Sequence, residues 1–223
     1  MTEPRAAGRG AVHPLAALAV VFGGGFVVMV LEVYGARFLL PRFGSSQEVW
    51  LSQIGVVLAA LAAGYYVGGR GADHWQRAAA LAGALYPAGI YIFFLPQLGE
   101  PLLSLPWMQT ADVVVASAAA SAVLFLPPCF VLGMLAPYMI RLTACSVESV
   151  GAASGRIYAA STLGSLAGVF APVLAMPQTG SLNVPRWGID AVFHAAGGLT
   201  MALAVLCWLA DWRGRCRDNQ NTN

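Results

Sequence analysis

The chain has 223 residues, 58% of them hydrophobic and 10% charged, with a formal net charge of +2. A water-soluble domain carries roughly 25% charged residues, so this composition excludes a water-facing globular fold and points to a bilayer. All twelve basic residues are arginines scattered near the ends of apolar runs, with no basic patch beside interleaved aromatics, which argues against nucleic acid as a partner.

Residues 1–13, with Arg5 and Arg9, read as a short N-terminal tail. The apolar run that follows is too long for the core of a signal peptide. No small-residue cleavage site precedes Glu32, so a retained first span is expected. A membrane-crossing helix needs about 20 apolar residues. Six stretches qualify, in chain order Pro14–Leu40, Trp50–Gly69, Ala78–Pro96, Val113–Ile140, Ile157–Gln178 and Val192–Ala210. The connections are short. The longest, "LGEPLLSLPW" at 98–107, is apolar enough to lie flat in the interface. The expected organisation is therefore a tail at 1–13, one transmembrane domain at 14–210 and a second tail at 211–223.

With six spans both termini share a side. That side holds Arg5, Arg9, Arg70, Arg77, Arg141, Arg156, Arg213, Arg215 and Arg217, nine arginines against three (Arg37, Arg42 and Arg186) on the other. The positive-inside rule then predicts cytoplasmic termini in a multi-pass protein of the cell inner membrane. The tryptophans agree: Trp50, Trp107 and Trp187 fall at outer ends, and Trp75, Trp208 and Trp212 at inner ends, as an aromatic belt requires.

Cys129, Cys145, Cys207 and Cys216 show neither a metal-ligand spacing nor a disulfide framework, and read as ordinary small apolar side chains. No metal and no cofactor is expected. Gly64 and Gly68 in the second span and Gly164 and Gly168 in the fifth form small-xxx-small steps that let helix backbones approach closely. Pro127, Pro128 and Pro137 in the fourth span each remove a backbone donor, and mark either a gate or a merely bent helix. A faint internal echo accompanies them. Arg37 precedes the Gly64/Gly68 step as Arg141 precedes Gly164/Gly168, so spans one to three and four to six would be related by inverted topology, as in transporter halves.

Two blocks carry a more specific signal. "LEVYGARFLLPRFGSSQEVWLSQIGVVLAALAAGYYVGGRGAD" (31–73) resembles the opening of the fused major-facilitator/spermidine-synthase-like membrane proteins, through Glu32, Arg37, Pro41, Gly44, Ser45, Trp50, Gly55, Gly64, Gly68, Gly69, Arg70 and Asp73. "FLPPCFVLGMLAPYMIRL" (125–142) and "SGRIYAASTLGSLAGVF" (154–170) are similar to the later helices of that family, through Gly133, Pro137, Arg141, Gly155, Tyr158, Ser161, Thr162, Gly164 and Gly168. The resemblance covers roughly residues 20–175. It implies an all-α integral membrane protein, a half-major-facilitator-like bundle of six helices. Members of that family continue into a Rossmann-like synthase domain. These 223 residues hold no G-x-G-x-x-G strand-turn-helix fingerprint, so the resemblance does not extend to polyamine synthesis by this polypeptide.

Glu32 and Arg37 stand out because an ionised group in hydrocarbon is costly and usually marks function. Glu32 shares a helix face with Gly25, Met29 and Ala36, the face that meets neighbours. It reads either as an anionic group suited to a cation or to proton exchange, or as half of a structural ion pair. Arg37, five residues on, is poorly placed to be its intrahelical partner. Arg37 and Arg42 can also anchor the helix end among headgroups. Arg70 and Asp73 resemble the charges that latch helices on the cytoplasmic side of major facilitators. His194 is a lone interfacial histidine without an assigned role. No nucleophile–base set, paired carboxylate or metal-ligand constellation is visible, so no catalysis is expected from this chain alone.

Three functions fit these residues. One is a self-sufficient homo-oligomer that carries or binds a small, cationic solute. Another is the membrane anchor of a separately encoded synthase-like enzyme. The third is an accessory subunit packed against a larger membrane complex.

Overall fold

The computed structural model describes residues 12–144, 150–175 and 186–221, with side chains in 12–144, 150–170 and 188–212. Arg5, Arg9, Cys145 and the end of the fifth expected span at Gln178 lie outside the described residues, as do the side chains of Arg186, Arg213, Arg215, Cys216 and Arg217. Helix is the regular structure throughout. The elements are α1 (Pro14–Phe43), α2 (Gln47–His74), α3 (Ala78–Phe93), α4 (Leu95–Leu103), α5 (Pro106–Thr110), α6 (Val113–Gly133), α7 (Leu135–Thr143), α8 (Val150–Ala175) and α9 (Arg186–Asn221).

Local chemistry sets the helix ends. His13 caps α1 by accepting the Leu15 N–H at Nδ1 (3.3 Å), and Pro14 needs no partner in the first turn. Gly44 ends α1 with φ +79°, a conformation that favours glycine, while its N–H bonds the Leu40 carbonyl. Asp112 caps α6 through its carboxylate, 2.9 Å from the Val114 N–H.

Two breaks follow prolines. Between α6 and α7 the ladder lapses at Met134, where Pro137 offers no N–H to the Gly133 carbonyl and its ring crowds that oxygen. Pro127 and Pro128, by contrast, sit inside an unbroken α6. Between α3 and α4 the axis bends by 57° at Phe94, because Pro96 cannot bond the Ile92 carbonyl. The third expected span therefore stops being straight at Phe93, three residues before Pro96, and the 98–107 connection is helical over much of its length.

Four helical stretches are long and apolar enough to cross a membrane: α1, α2, the continuous run Val113–Thr143 and Gly188–Trp212 of α9. The bent α3–α4 pair makes a fifth if it is one broken span rather than a re-entrant loop. These mark a multi-pass membrane protein. The fifth stretch of the sequence reading falls on α8, which is not among them. Over its described residues glycine, serine, threonine and Arg156 dilute the apolar content.

Glycines decide how the helices pair. A Cβ at Gly25 would overlap the Ser161 carbonyl oxygen, one at Gly164 that of Phe22, and one at Gly168 that of Phe26. Thus α1 and α8 run side by side in the same direction, with Ser165 Oγ donating to the Gly25 carbonyl at 3.3 Å. A Cβ at Gly64 would overlap the Phe130 carbonyl oxygen, and one at Gly68 would stand 2.6 Å from Met134 Cα, so α2 runs parallel to α6–α7. The α3 and α9 helices meet antiparallel, with Gly89 against Met201 and Gly197 against the Phe93 backbone nitrogen at 2.6 Å. Close approach of this kind gains dispersion contacts that lipid tails cannot supply between bulkier helices. Between the pairs lies a core that includes Leu31, Tyr34, Leu39, Leu85, Phe125 and Phe193.

Candidate functional site

Glu32 lies two-thirds of the way along α1, half-buried among the wholly buried Leu31 and Tyr34. The fully buried thiol of Cys129 on α6 is within its electrostatic reach. Along α1, Glu32 continues the face of Gly25, which meets Ser161, and Met29, which meets Gly168, both on α8. Among the described residues the salt bridge is Arg141 to Asp73, and Glu32 has no ionic partner. The structural ion-pair alternative thus finds no second member there. Arg37 instead sets its guanidinium over the Tyr34 ring, 5.4 Å from the centroid, one turn back along the same helix.

One turn beyond Glu32, Gly35 opens room for side chains from two other helices. A Cβ there would stand 2.6 Å from Gln53 Nε2 of α2 and 2.8 Å from the Phe125 ring of α6. Phe125 in turn leans on Phe193 of α9, ring centroids 6.3 Å apart. Gln53 has no exposed surface, and neither its Nε2 nor its Oε1 has a hydrogen-bond partner. Ser121 of α6 is in the same condition at its hydroxyl. Buried polar groups are nearly always paired, and an unpaired one costs about 1–3 kcal/mol.

Sequence reasoning singled out Glu32 and missed Gln53, Ser121 and Cys129. Gln53 had a signal. It occupies the face Val49, Gln53, Val57, Ala60, Gly64, Gly68, otherwise small or apolar at helical spacing, which the fold buries. Cys129 read as an ordinary apolar residue, and nothing in its local sequence ties it to Glu32.

The remaining candidates stand elsewhere. At the ends of α2 and α7, Asp73 accepts from Arg141 Nε at 2.9 Å, both side chains largely exposed. Arg70 does not join them. It donates to the Tyr66 hydroxyl at 2.6 Å and lies over that ring. Beside this pair Tyr138 donates its hydroxyl to the carbonyls of Trp75 and Arg77, tying α7 to the α2–α3 turn. Pro127 and Pro128 lie on α6, and Pro137 at the α6–α7 break, two or more turns from Glu32's neighbour Cys129 in the last case. His194 faces Gln97, 3.3 Å between side-chain nitrogens, and stacks on Phe93. At the opposite end from Asp73, a cavity of about 330 Å³ is lined by Arg42, Phe43, Met108, Gln109, Ala111 and Val113. Glu32 is not among its lining residues. Among the described residues no cluster of three or more His, Cys, Asp or Glu side chains suits a metal ion.

No family model, no curated protein and no solved structure matches this chain.

Proposed function

We propose that this chain is a carrier-like module of the cell inner membrane that binds a small, cationic solute at Glu32. The observation that carries the reading is a half-buried carboxylate within the apolar helix α1 that has no ionic partner among the described residues. Ionisable residues within membrane spans usually face a wet cavity or a partner and mark an ion, proton or ligand site.

The helix pairing supports the transport-like half of the proposal. In a six-span topology α1 and α8 are the first and fifth spans and α2 and α6–α7 the second and fourth. An inverted repeat relating spans one to three with four to six would exchange those two pairs, and would pair the third span with the sixth antiparallel. The glycine contacts follow that pattern, down to Gly64 on the Phe130 carbonyl and Gly168 on that of Phe26. On this reading α8 crosses beside α1, with Ser161 and Ser165 half-buried and Tyr158 and Thr162 exposed. Both termini are cytoplasmic, and the chain is akin to the membrane part of the major-facilitator/spermidine-synthase-like proteins that its two sequence blocks resemble.

A second reading rests on one face. Tyr65, Tyr66 and Tyr158 are exposed on α2 and α8, with Tyr65 and Tyr158 within electrostatic reach of each other. Such a face suits a second copy, a separate synthase-like subunit or a larger complex as well as it suits lipid.

The test is thermal stabilisation of the purified chain by a panel of putrescine, spermidine, guanidinium and sodium. At least one organic cation should raise the unfolding temperature of wild type and leave Glu32→Gln unmoved. Equal stabilisation of both would remove Glu32 from the site.

A further inference from the structure

We infer that the cavity between the end of α1 and the start of α6 binds the phosphate of an anionic phospholipid, with the Arg42 guanidinium as its counter-ion and Gln109 as the acceptor for a hydroxylated headgroup. The inference is independent of Glu32, which does not line this cavity.

The site stands where water meets hydrocarbon. Arg42 and Phe43 close the last turn of α1 and Val113 opens α6, and both helices belong to stretches long and apolar enough to cross a membrane. The third wall comes from α5 and the turn after it, through Met108, Gln109 and Ala111. Met108 is 3% exposed, so α5 is held against the bundle. The enclosed volume is about 330 Å³, at the small end of the roughly 300–1,000 Å³ typical of small-ligand sites.

Arg42 gives the cavity its sign. Among the described residues Arg141 pairs with Asp73, Arg37 and Arg70 lie over tyrosine rings, and Arg156 donates to the Ala152 carbonyl. Arg42 has no such partner among them and lines the cavity instead. No carboxylate is among the lining residues. Asp112, between Ala111 and Val113, is committed through Oδ1 to the Val114 N–H at 2.9 Å. Val113 is the first residue of α6, so its own N–H has no acceptor within the helix. A guanidinium fork beside a positive helix end suits phosphate oxygens and repels a cation.

The remaining lining favours a lipid as the source of that phosphate. Phe43, Met108, Ala111 and Val113 are apolar, and a soluble anion makes no use of them. Leu40 on α1 and Val114 and Val115 on α6, all exposed, continue the apolar surface along each helix, where the glycerol backbone and first methylenes of a lipid would lie. Gln109 refines the headgroup. Its Nε2 donates to the Ser104 carbonyl at 3.1 Å, which leaves Oε1 as an acceptor. A glycerol headgroup donates hydroxyls and carries no positive charge. A trimethylammonium group offers Gln109 no donor and would sit against Arg42.

Thermal unfolding of the full chain in mild detergent tests this, titrated separately with dihexanoyl-phosphatidylglycerol, dihexanoyl-phosphatidylcholine and inorganic phosphate. The phosphatidylglycerol should stabilise wild type at concentrations where the other two do not. Arg42→Gln should raise the midpoint of that titration at least about tenfold, because charge-assisted bonds to the phosphate are lost. Arg77→Gln removes an exposed arginine that does not line the cavity, and should leave the midpoint in place. Ala111→Leu fills the cavity with Arg42 intact and should weaken the lipid as well. Equal midpoints in wild type and folded Arg42→Gln overturn the inference. An unmoved midpoint in Ala111→Leu overturns it even if Arg42→Gln does not fold. Inorganic phosphate as effective as the lipid overturns the lipid as its source, and phosphatidylcholine as effective as phosphatidylglycerol overturns the role given to Gln109.

Discussion

Adjacent glycines on α9 offer a controlled perturbation of the helix pairing. Gly197 and Gly198 share a helix and a neighbourhood, yet a Cβ at Gly197 would stand 2.6 Å from the Phe93 backbone nitrogen and 2.7 Å from the Gly89 carbonyl oxygen, while one at Gly198 would meet nothing within 4 Å. Backbone atoms cannot swing aside as a flexible side chain can. Ordinary contact needs about 3.5 Å or more, so Gly197→Ala must part α3 and α9 by roughly 1 Å, and a gap of that size forfeits a quarter to a half of each dispersion contact it opens. Overpacking of this kind costs about 1–3 kcal/mol. Gly198→Ala pays no such cost and gains helix propensity, up to about 1 kcal/mol in its favour. Thermal unfolding in mild detergent, read by a thiol-reactive dye that detects exposure of buried Cys129 and Cys207, compares the two. Gly197→Ala should unfold several degrees lower than wild type and Gly198→Ala at the same temperature or slightly higher. Equal unfolding temperatures for the two variants would refute close backbone contact as the basis of the pairing.

The same logic separates Gly68→Ala, which meets Met134 Cα at 2.6 Å and should destabilise by about 1–3 kcal/mol, from Gly155→Ala, which meets nothing and should not, in the same dye assay. Replacing Asp73 with Ala removes an ion pair whose members are 69% and 49% exposed, so the unfolding temperature should change by the equivalent of less than about 1 kcal/mol. Tyr138→Phe, which strips a hydroxyl from the Trp75 and Arg77 carbonyls, should cost about 1 kcal/mol by the same measurement. A cysteine at Gln109 should react with a membrane-impermeant maleimide in intact cells and one just after Trp212 should not; the reverse pattern would invert the proposed orientation.

Much of the helical layout was legible because apolar length is a strong signal. The runs from Pro14, Trp50 and Val192 each fall within a helix, and the run from Val113 spans α6 and α7. The boundaries were less so: hydropathy does not reveal that His13 and Asp112 cap helices, or that α9 continues as helix to Asn221. The bend at Phe94 is a backbone effect of Pro96, which apolar counting passes over. At the site, Glu32 announced itself by its charge, while Gln53 and Ser121 are neutral and gain their meaning from α2 and α6 lying together. Asp73 and Arg141 are 68 positions apart, and their pairing depends on tertiary packing that local sequence does not encode.

Uptake of a small organic cation by vesicles reconstituted with this chain alone bears most directly on the proposed role. Purified wild-type protein should accumulate labelled putrescine or spermidine against its own unlabelled counterpart inside the vesicle, and folded Glu32→Gln should not. Uptake that is equal in wild type and Glu32→Gln, or absent in wild-type vesicles until a copurifying subunit is added, would contradict a self-sufficient carrier built around Glu32.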